Sequence, residues 1–176
     1  MTDVLTPEQR RLNMSRIRGR DTVPEMFVRR GLHTMGLRFR LHDRNLPGRP
    51  DLVFPRYRTV VFVHGCFWHA HGCRFTKLPQ TRQGFWRKKI EGNAERDMRV
   101  VTELHAARWH ILVIWECALR GRGPAPRSAV LEQAANYLAY GRRRVLEIRG
   151  SPPRHTRRPC APQILDPAHP AHREYS

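Results

Sequence analysis

The sequence contains no apolar run approaching the roughly 20 residues that a transmembrane helix requires. It also lacks the charged start and short apolar core of a secretory signal after Met1. Acidic residues are scarce, since 15 Asp and Glu stand against 33 Lys and Arg. The first two absences argue against a membrane-spanning or secreted protein, and we expect a cytoplasmic protein with no membrane partner.

Cysteine is also scarce, with only four residues at positions 66, 73, 117 and 160. In a cytoplasmic chain, cysteines more often serve as metal ligands or free thiols than as a disulfide framework. Cys160 lies in a segment rich in proline, arginine and histidine that shows no periodicity. We therefore do not expect Cys160 to bind a metal.

The formal net charge of +18 is the strongest feature of the composition. Most of the basic residues are arginines, whose planar guanidinium groups bind phosphate in a bidentate manner. This charge predicts salt-sensitive binding to a polyanion, with nucleic acid favoured over an anionic membrane. A basic soluble protein without a polyanionic partner is the alternative, and charge does not distinguish DNA from RNA.

The segment from His64 to Cys73 concentrates reactive side chains after an apolar run at 60–63 that is typical of a buried strand. Three of its residues, Cys66, His71 and Cys73, are ligands that zinc prefers, and Cys117 could complete a tetrahedral set. Four protein ligands leave no position for water, so such a zinc site would be structural. The alternative is unligated cysteines beside a histidine cluster.

The remaining histidines of this segment, His64 and His69, are free for catalysis if the others bind zinc. Asp97 falls within the apolar stripe of a helix predicted at about 85–107 and needs a donor there. His69 suits that role, although water or an arginine would also satisfy Asp97. Asp51 opens a strand predicted to pair with 59–63, and its carboxylate suits Mg²⁺. A histidine held by a carboxylate is a candidate general base.

Two further groups of residues have a structural interpretation as well as a functional one. Glu25 completes a capping box with Thr22 at the start of a helix, which is sufficient reason for a glutamate there. Phe67 and Trp68 lie between the zinc ligands, and rigid aromatics on a basic protein suggest stacking on bases. Packing in the core is the alternative. The same Phe-Trp dipeptide recurs at 85–86, and for Phe85 we prefer core packing.

The elements follow the order α, α, β, β, β, long α, β, α, with an edge strand at 145–148. They include a helix from residue 6 to about 17, a half-buried strand at 37–41, and a last helix that Ser128 caps after a linker at 121–127. Met35 is expected on the apolar face of the helix that follows Thr22. This order predicts an α/β fold of the α+β type, with a mixed sheet and flanking helices. Residues 1–20 are expected to form an N-terminal helix and basic arm, and residues 21–150 the main domain. Residues 151–176 form a basic, proline-rich tail that is expected to be disordered.

Four motifs together resemble those of the very-short-patch-repair mismatch endonucleases, across about residues 8–122. They are LPGRPD at 46–51, FVHGCFWH at 62–69, Asn93-x-x-x-Asp97 and WECALRG at 115–121. The resemblance implies a restriction-endonuclease-like core with a structural zinc site. It also implies Mg²⁺-dependent nicking of one DNA strand, 5′ to the thymine of a T:G mismatch that arises from deaminated 5-methylcytosine.

The resemblance also assigns roles to individual residues. It makes Asp51 and the backbone carbonyl of Val63 the Mg²⁺ ligands, and His69 a general base oriented by Asp97. It places His64 and Glu25 in the active site and gives zinc the ligands Cys66, His71, Cys73 and Cys117. The residues implied in DNA binding are the wedges Phe67, Trp68, Trp86 and Met14, and the base readers Lys89 and Asn93.

The implied partner is double-stranded DNA with a T:G mismatch, and mismatch-repair proteins are further candidates. We expect a monomer associated with the nucleoid. Two other functions stay open at this point. One is a restriction-type endonuclease that cuts both strands, and the other is a zinc-stabilised DNA-binding protein without catalysis.

Overall fold

The computed structural model describes residues 6, 8–9, 11–12, 19–120 and 127–150. Residues 8–9 and 11–12 are helical. The remaining helices are α1 (Val23–Thr34), α2 (Gln83–Ala106), α3 (Glu116–Arg120) and α4 (Arg127–Tyr140). The strands are β1 (Arg40–Leu41), β2 (Leu52–Phe54), β3 (Thr59–His64), β4 (His110–Trp115) and β5 (Val145–Ile148).

The five strands form one mixed sheet in the order β1-β2-β3-β4-β5. Strand β2 runs antiparallel to both of its neighbours, β1 and β3, whereas β3, β4 and β5 run parallel to one another. The crossover from β3 to β4 is made by α2, and that from β4 to β5 by α3 and α4. The structure therefore confirms the predicted α/β fold with a mixed sheet and flanking helices.

Helices cover both faces of the sheet, which is why β3 and β4 are apolar almost throughout. On one face, Val61 and Leu112 pack with residues of α1 and α4. On the other face, Val60 and Ile111 pack with Val101 and other residues of α2. Both central strands are thus fixed from two sides, and their C-terminal ends provide a rigid base for the side chains that follow them.

The predicted boundaries agree closely with the structure at several elements. Helix α1 begins after Thr22, whose hydroxyl accepts the Glu25 N–H at 3.4 Å, as the capping box predicted. The long helix, predicted at about 85–107, spans Gln83–Ala106, and the edge strand is β5. Strand β2 pairs antiparallel with β3, so Asp51 lies beside the end of β3 as predicted.

Three local predictions were wrong. The strand expected at 37–41 is reduced to β1, because only Arg40 and Leu41 pair with β2. Met35, expected to face inward, is 46% exposed because α1 ends at Thr34. Ser128, expected to cap α4, lies within that helix, which begins at Arg127.

Several predictions concern residues outside the described part of the chain. They include Met14 and most of the helix expected near 6–17, most of the linker expected at 121–127, and the tail 151–176 with Cys160. Among the helices that are described, none combines the length and apolar character needed to cross a bilayer.

Candidate active site and metal centres

A cavity of about 660 Å³ opens beside the C-terminal end of β3. Four of the residues predicted to be catalytic line it: Asp51, His64, His69 and Asp97. Arginines also line the cavity, at positions 20, 44, 49 and 96. The cavity thus combines carboxylates and imidazoles with guanidinium groups, which suits a phosphate-containing substrate.

His69 and Asp97 form the contact that the sequence predicted. The Nδ1 atom of His69 lies 2.6 Å from Oδ2 of Asp97, and both side chains are largely buried. A carboxylate at Nδ1 fixes the tautomer and the orientation of the ring. The Nε2 atom of His69 is therefore the nitrogen left to exchange a proton with a bound reactant.

His64 stacks on His69, with ring centroids 3.9 Å apart and planes inclined by 5°. Burial, and secondarily the neighbouring His69, lowers the pKa of His64 well below its ordinary value. Its Nδ1 is buried without a hydrogen-bond partner among the described residues. His64 is therefore neutral near physiological pH and offers a polar nitrogen that no described group uses.

Asp51 is fixed by the end of β3, where its Oδ2 accepts the N–H of Val63 at 2.7 Å. Burial raises the pKa of Asp51 to about 6, partly offset by the Val63 N–H, and the nearby Glu25 raises it further. A buried carboxylate with a raised pKa gains stability when a cation approaches. Its hard oxygen ligands fit a divalent cation such as Mg²⁺.

Glu25 is connected to Asp51 through His42, a residue that the sequence analysis missed. The Oε1 atom of Glu25 lies 3.3 Å from Nε2 of His42 and 3.3 Å from Nη1 of Arg29. The Nδ1 atom of His42 lies 3.9 Å from Oδ1 of Asp51. The pairing of β1 with β2 would have indicated this residue. Leu41 pairs with Leu52, and in an antiparallel pair this brings His42 beside Asp51.

The side chains of Asp21, Glu25 and His42 also converge closely enough to resemble a metal site. Arg29, however, contacts both Asp21 and Glu25. Its guanidinium already supplies positive charge between these carboxylates. The cluster is therefore better explained as a charge network that holds Glu25 near the cavity.

A second cluster lies on the other side of the same loop. The ligand atoms of Cys66, His71, Cys73 and Cys117 all lie within 4.8 Å of one another. The Nδ1 atom of His71 is 3.6 Å from Sγ of Cys117. Tetrahedral zinc with ordinary bond lengths separates a sulfur and a nitrogen ligand by about 3.6 Å. The donor set and its spacing therefore fit a closed metal site.

Hydrogen bonds around the sulfur atoms support this cluster. The N–H of Cys117 donates to Sγ of Cys66, and the N–H of Gly150 donates to Sγ of Cys117, each at 3.3 Å. The hydrogen bond from Cys66 lowers the pKa of Cys117 well below its ordinary value; burial opposes this effect, and the hydrogen bond with His71 adds to it. A thiolate is the form that binds a metal. Gly150, two residues after the end of β5, thus closes the cluster.

We expect Gly150→Ala to destabilise the protein by about 2 kcal/mol through overpacking. A Cβ atom at residue 150 would lie 2.5 Å from the carbonyl oxygen of Cys117 and 2.8 Å from its carbon. Gly92→Ala is the control, since its Cβ atom would meet nothing within 4 Å in the middle of α2. In urea unfolding, the midpoint should fall for Gly150→Ala and rise for Gly92→Ala. Equal midpoints would contradict the close approach of residue 150 to Cys117.

The aromatic residues of the loop before His69 pack against the first turn of α2 instead of projecting freely. Phe67, Trp68 and Trp86 are half-buried, and their ring centroids lie 5.0 to 5.9 Å apart. Phe85, for which core packing was preferred, is 59% exposed, so that prediction was wrong. It lies in the first turn of α2, before the helix reaches the core at Ile90.

The two predicted base readers occupy different environments on α2. Lys89 is exposed. Asn93 is buried, and its Nδ2 donates to the Trp68 carbonyl oxygen at 2.9 Å. In this conformation Asn93 fixes the aromatic loop, whereas its contact with a base stays a prediction.

Comparisons with known proteins agree with this geometry. Residues 2–75 match a family model described as DNA mismatch endonuclease Vsr. The chain is 52% identical over 123 residues to the Type II nicking enzyme V.XorIIP of Xanthomonas oryzae pv. oryzae, covering 70% of this chain and 90% of that protein. It is 45% identical over 138 residues to the DNA mismatch endonuclease Vsr of Escherichia coli, covering 78% and 88% of the two chains.

A third relative is the Type II nicking enzyme V.NmeAIP of Neisseria meningitidis, 41% identical over 122 residues, covering 69% of this chain and 87% of that protein. Identities of this size extend over most of each relative. The chain therefore belongs to the Vsr family of DNA mismatch endonucleases.

Proposed function

We propose that this protein is a Mg²⁺-dependent endonuclease that nicks one strand of duplex DNA on the 5′ side of the thymine in a T:G mismatch. The observation that carries the proposal is the convergence of Asp51 and the His69–Asp97 pair on one cavity. A protein that only binds DNA needs none of these three groups. The names of the relatives, a DNA mismatch endonuclease and nicking enzymes, support the choice of reaction.

Asp51 and the carbonyl oxygen of Val63 are the proposed ligands for Mg²⁺. When bound, Mg²⁺ supplies positive charge that polarises a phosphodiester and stabilises the charge developing on it. The protein contributes a carboxylate held in place by the Val63 N–H. His42 lies beside Asp51 and is itself held by Glu25, so the two residues restrict the orientation of the Asp51 carboxylate.

His69 is proposed as the general base that accepts a proton from the attacking water at Nε2. Asp97 holds Nδ1 and stabilises the imidazolium that forms. The stacked ring of His64 restricts His69 from one side. Because His64 is buried and neutral, it adds no positive charge that would oppose protonation of His69.

We assign recognition of DNA to the aromatic cluster, to two residues of α2 and to the N-terminal arm. Phe67, Trp68 and Trp86 are proposed to insert into the duplex next to the mismatch, where unstacking costs less than at a paired step. Met14, in the N-terminal arm at residues 1–20, is proposed as a wedge from the minor groove. Lys89 and Asn93 are proposed to read the mismatched pair. The nuclease domain itself is assigned to residues 21–150.

The second cluster is proposed to hold structural Zn²⁺ through Cys66, His71, Cys73 and Cys117. Its four donors leave no position for a reacting water. The aromatic residues Phe67 and Trp68 lie between two of the ligands in the chain. A filled site would therefore fix the aromatic loop beside the catalytic pair.

Initial rates of nicking on a matched set of duplexes test the proposed reaction. Duplexes that differ only in T:G, T:A or another mismatch at one position are incubated with the protein in Mg²⁺ or in EDTA. We expect nicking of the T:G duplex in Mg²⁺ alone. Equal rates on T:A would support a restriction-type nuclease, and binding without cleavage would support a non-catalytic DNA-binding protein.

We expect Asp97→Asn to lower kcat by about 10²- to 10⁴-fold with little change in DNA affinity, since it removes an oriented base. An asparagine preserves the size of the side chain but no longer stabilises the His69 imidazolium. Single-turnover nicking and anisotropy with the same T:G duplex separate the two effects. Asp43→Asn is the control, because Asp43 accepts an N–H within its own turn. Normal nicking by the Asp97 variant would refute the orienting role.

A further inference from the structure

Three turns meet at the end of the sheet opposite the catalytic cavity, just before β3, β4 and β5. They comprise residues 55–58, 107–110 and 141–144. None contains Asp or Glu, and six of their residues are exposed arginines. We call this surface the arginine edge: Arg56, Arg58, Arg108, Arg142, Arg143 and Arg144.

The backbone of the arginine edge is held together by hydrogen bonds between the turns. The N–H of His110 donates to the carbonyl oxygen of Arg58 at 2.9 Å, and that of Ile111 to Arg144 at 2.8 Å. The buried Tyr137 hydroxyl donates to the Arg143 carbonyl oxygen at 2.9 Å. These contacts fix the spacing of the three turns, so the arginines extend from a rigid base.

Two guanidinium groups on this edge contact neutral carbonyl oxygens. Arg58 donates to the carbonyl oxygens of Arg108 and Ala107 and lies 5.5 Å from the ring centroid of Trp109. Arg144 also donates to the Arg108 carbonyl oxygen. Within the ranges that the structure describes, no carboxylate forms an ion pair with any of the six. Their mutual repulsion is therefore uncompensated inside the protein.

We propose that the arginine edge binds the phosphates of a second DNA segment while the catalytic cavity holds the segment to be nicked. The two surfaces lie at opposite ends of β3, whose six residues span about 20 Å. We therefore expect that a short duplex seated at the cavity does not reach the edge. The second segment is a distant part of the same long DNA or another duplex.

Phosphate suits this surface better than an acidic protein does. Guanidinium groups grip phosphate oxygens in a bidentate manner, and an unspecific backbone contact needs no apolar centre. Protein interfaces usually bury a hydrophobic centre with aromatic anchors. Among the exposed large apolar residues of the described chain, Tyr140 alone borders the edge, and its hydroxyl also suits phosphate.

A two-colour DNA capture experiment tests this proposal. A short T:G duplex in one colour saturates the protein without divalent metal, and a perfectly paired longer duplex in a second colour is then titrated. Cross-correlation of the two colours reports the ternary complex, while anisotropy of the short duplex alone reports binary binding. The variants are Arg142→Gln with Arg143→Gln, and a control with the same charge loss, Arg30→Gln with Arg127→Gln.

The wild-type protein and the control should form the ternary complex. The edge variant should bind the second duplex roughly tenfold more weakly, and the slope of log affinity against log salt should fall by about 2. Binary binding and nicking of the short duplex should be unchanged. If the wild type and both variants fail to bind the short T:G duplex, the result counts against the proposed mismatch substrate. The arginine edge is then tested with any other short duplex that binds at the cavity.

Three results would overturn the proposal. The first is the absence of a ternary complex with the wild-type protein at every salt concentration, and the second is an edge variant that loses no more affinity than the control. Displacement of the second duplex by poly-glutamate at equal charge would show a preference for acidic protein over phosphate.

Discussion

Asp51→Asn should abolish nicking and, at neutral pH, make the metal-free protein more stable. Loss of the carboxylate removes the proposed metal ligand, and we expect the rate to fall by about 10³-fold or more. The asparagine oxygen still accepts the Val63 N–H, so the local backbone is preserved. DNA affinity should be equal or higher, because one negative charge has left the cavity.

The sign of the stability change follows from the pKa of Asp51, which burial raises from 3.8 to about 6. The folded protein holds this proton more tightly than the unfolded chain, so its stability falls as pH rises from about 4 through 6. Below that window the acid is neutral in both states. Above it, the variant should be more stable by up to about 3 kcal/mol.

Urea unfolding at several pH values, in EDTA, measures this difference directly. The gain should be absent near pH 3.5 and complete above pH 6.5. Asp43→Asn is the charge-matched control and should show no such window. A variant that still nicks would refute the metal role of Asp51, and a gain independent of pH would refute the effect of burial.

Cys117→Ser should produce the second large effect, a loss of bound zinc together with a loss of stability. Serine is a poor zinc ligand, and three remaining donors bind far more weakly. Because zinc binding contributes directly to folding, we expect a loss of at least about 4 kcal/mol. The Gly150 N–H also loses its sulfur acceptor, which loosens the end of β5.

Metal analysis of the purified protein and thermal unfolding measure these two quantities together. Cys160→Ser is the control and should keep one zinc and a normal unfolding midpoint. Residual nicking by the folded fraction of the Cys117 variant separates a structural site from a catalytic one. A stable, zinc-replete Cys117 variant would contradict the ligand assignment.

Much of the fold was predictable because short-range patterns agree with the tertiary structure. Apolar runs predicted the strands β3, β4 and β5, and a stripe at helical spacing predicted α2. The same stripe singled out Asp97, since an acidic residue on a buried face needs a partner. That partner is His69, at 2.6 Å.

Other features depend on contacts that no local pattern records. His42 lies beside Asp51 because β1 pairs with β2, and β1 consists of only two residues. Gly150, two residues after the end of the parallel strand β5, donates its N–H to Cys117 from a position far along the chain. The half-buried state of the aromatic loop depends on Asn93 of α2, whose side-chain amide donates to the Trp68 carbonyl oxygen. Long-range pairing decides each of these contacts.

Strand-resolved mapping of the cleavage product tests the central claim most directly. Both strands of a T:G duplex and of its T:A counterpart are labelled with different dyes, incubated in Mg²⁺ and separated at nucleotide resolution. We predict one product, from the thymine strand of the T:G duplex, cut at the phosphate on the 5′ side of the thymine. Cleavage of both strands, or equal cleavage of the T:A duplex, would contradict it.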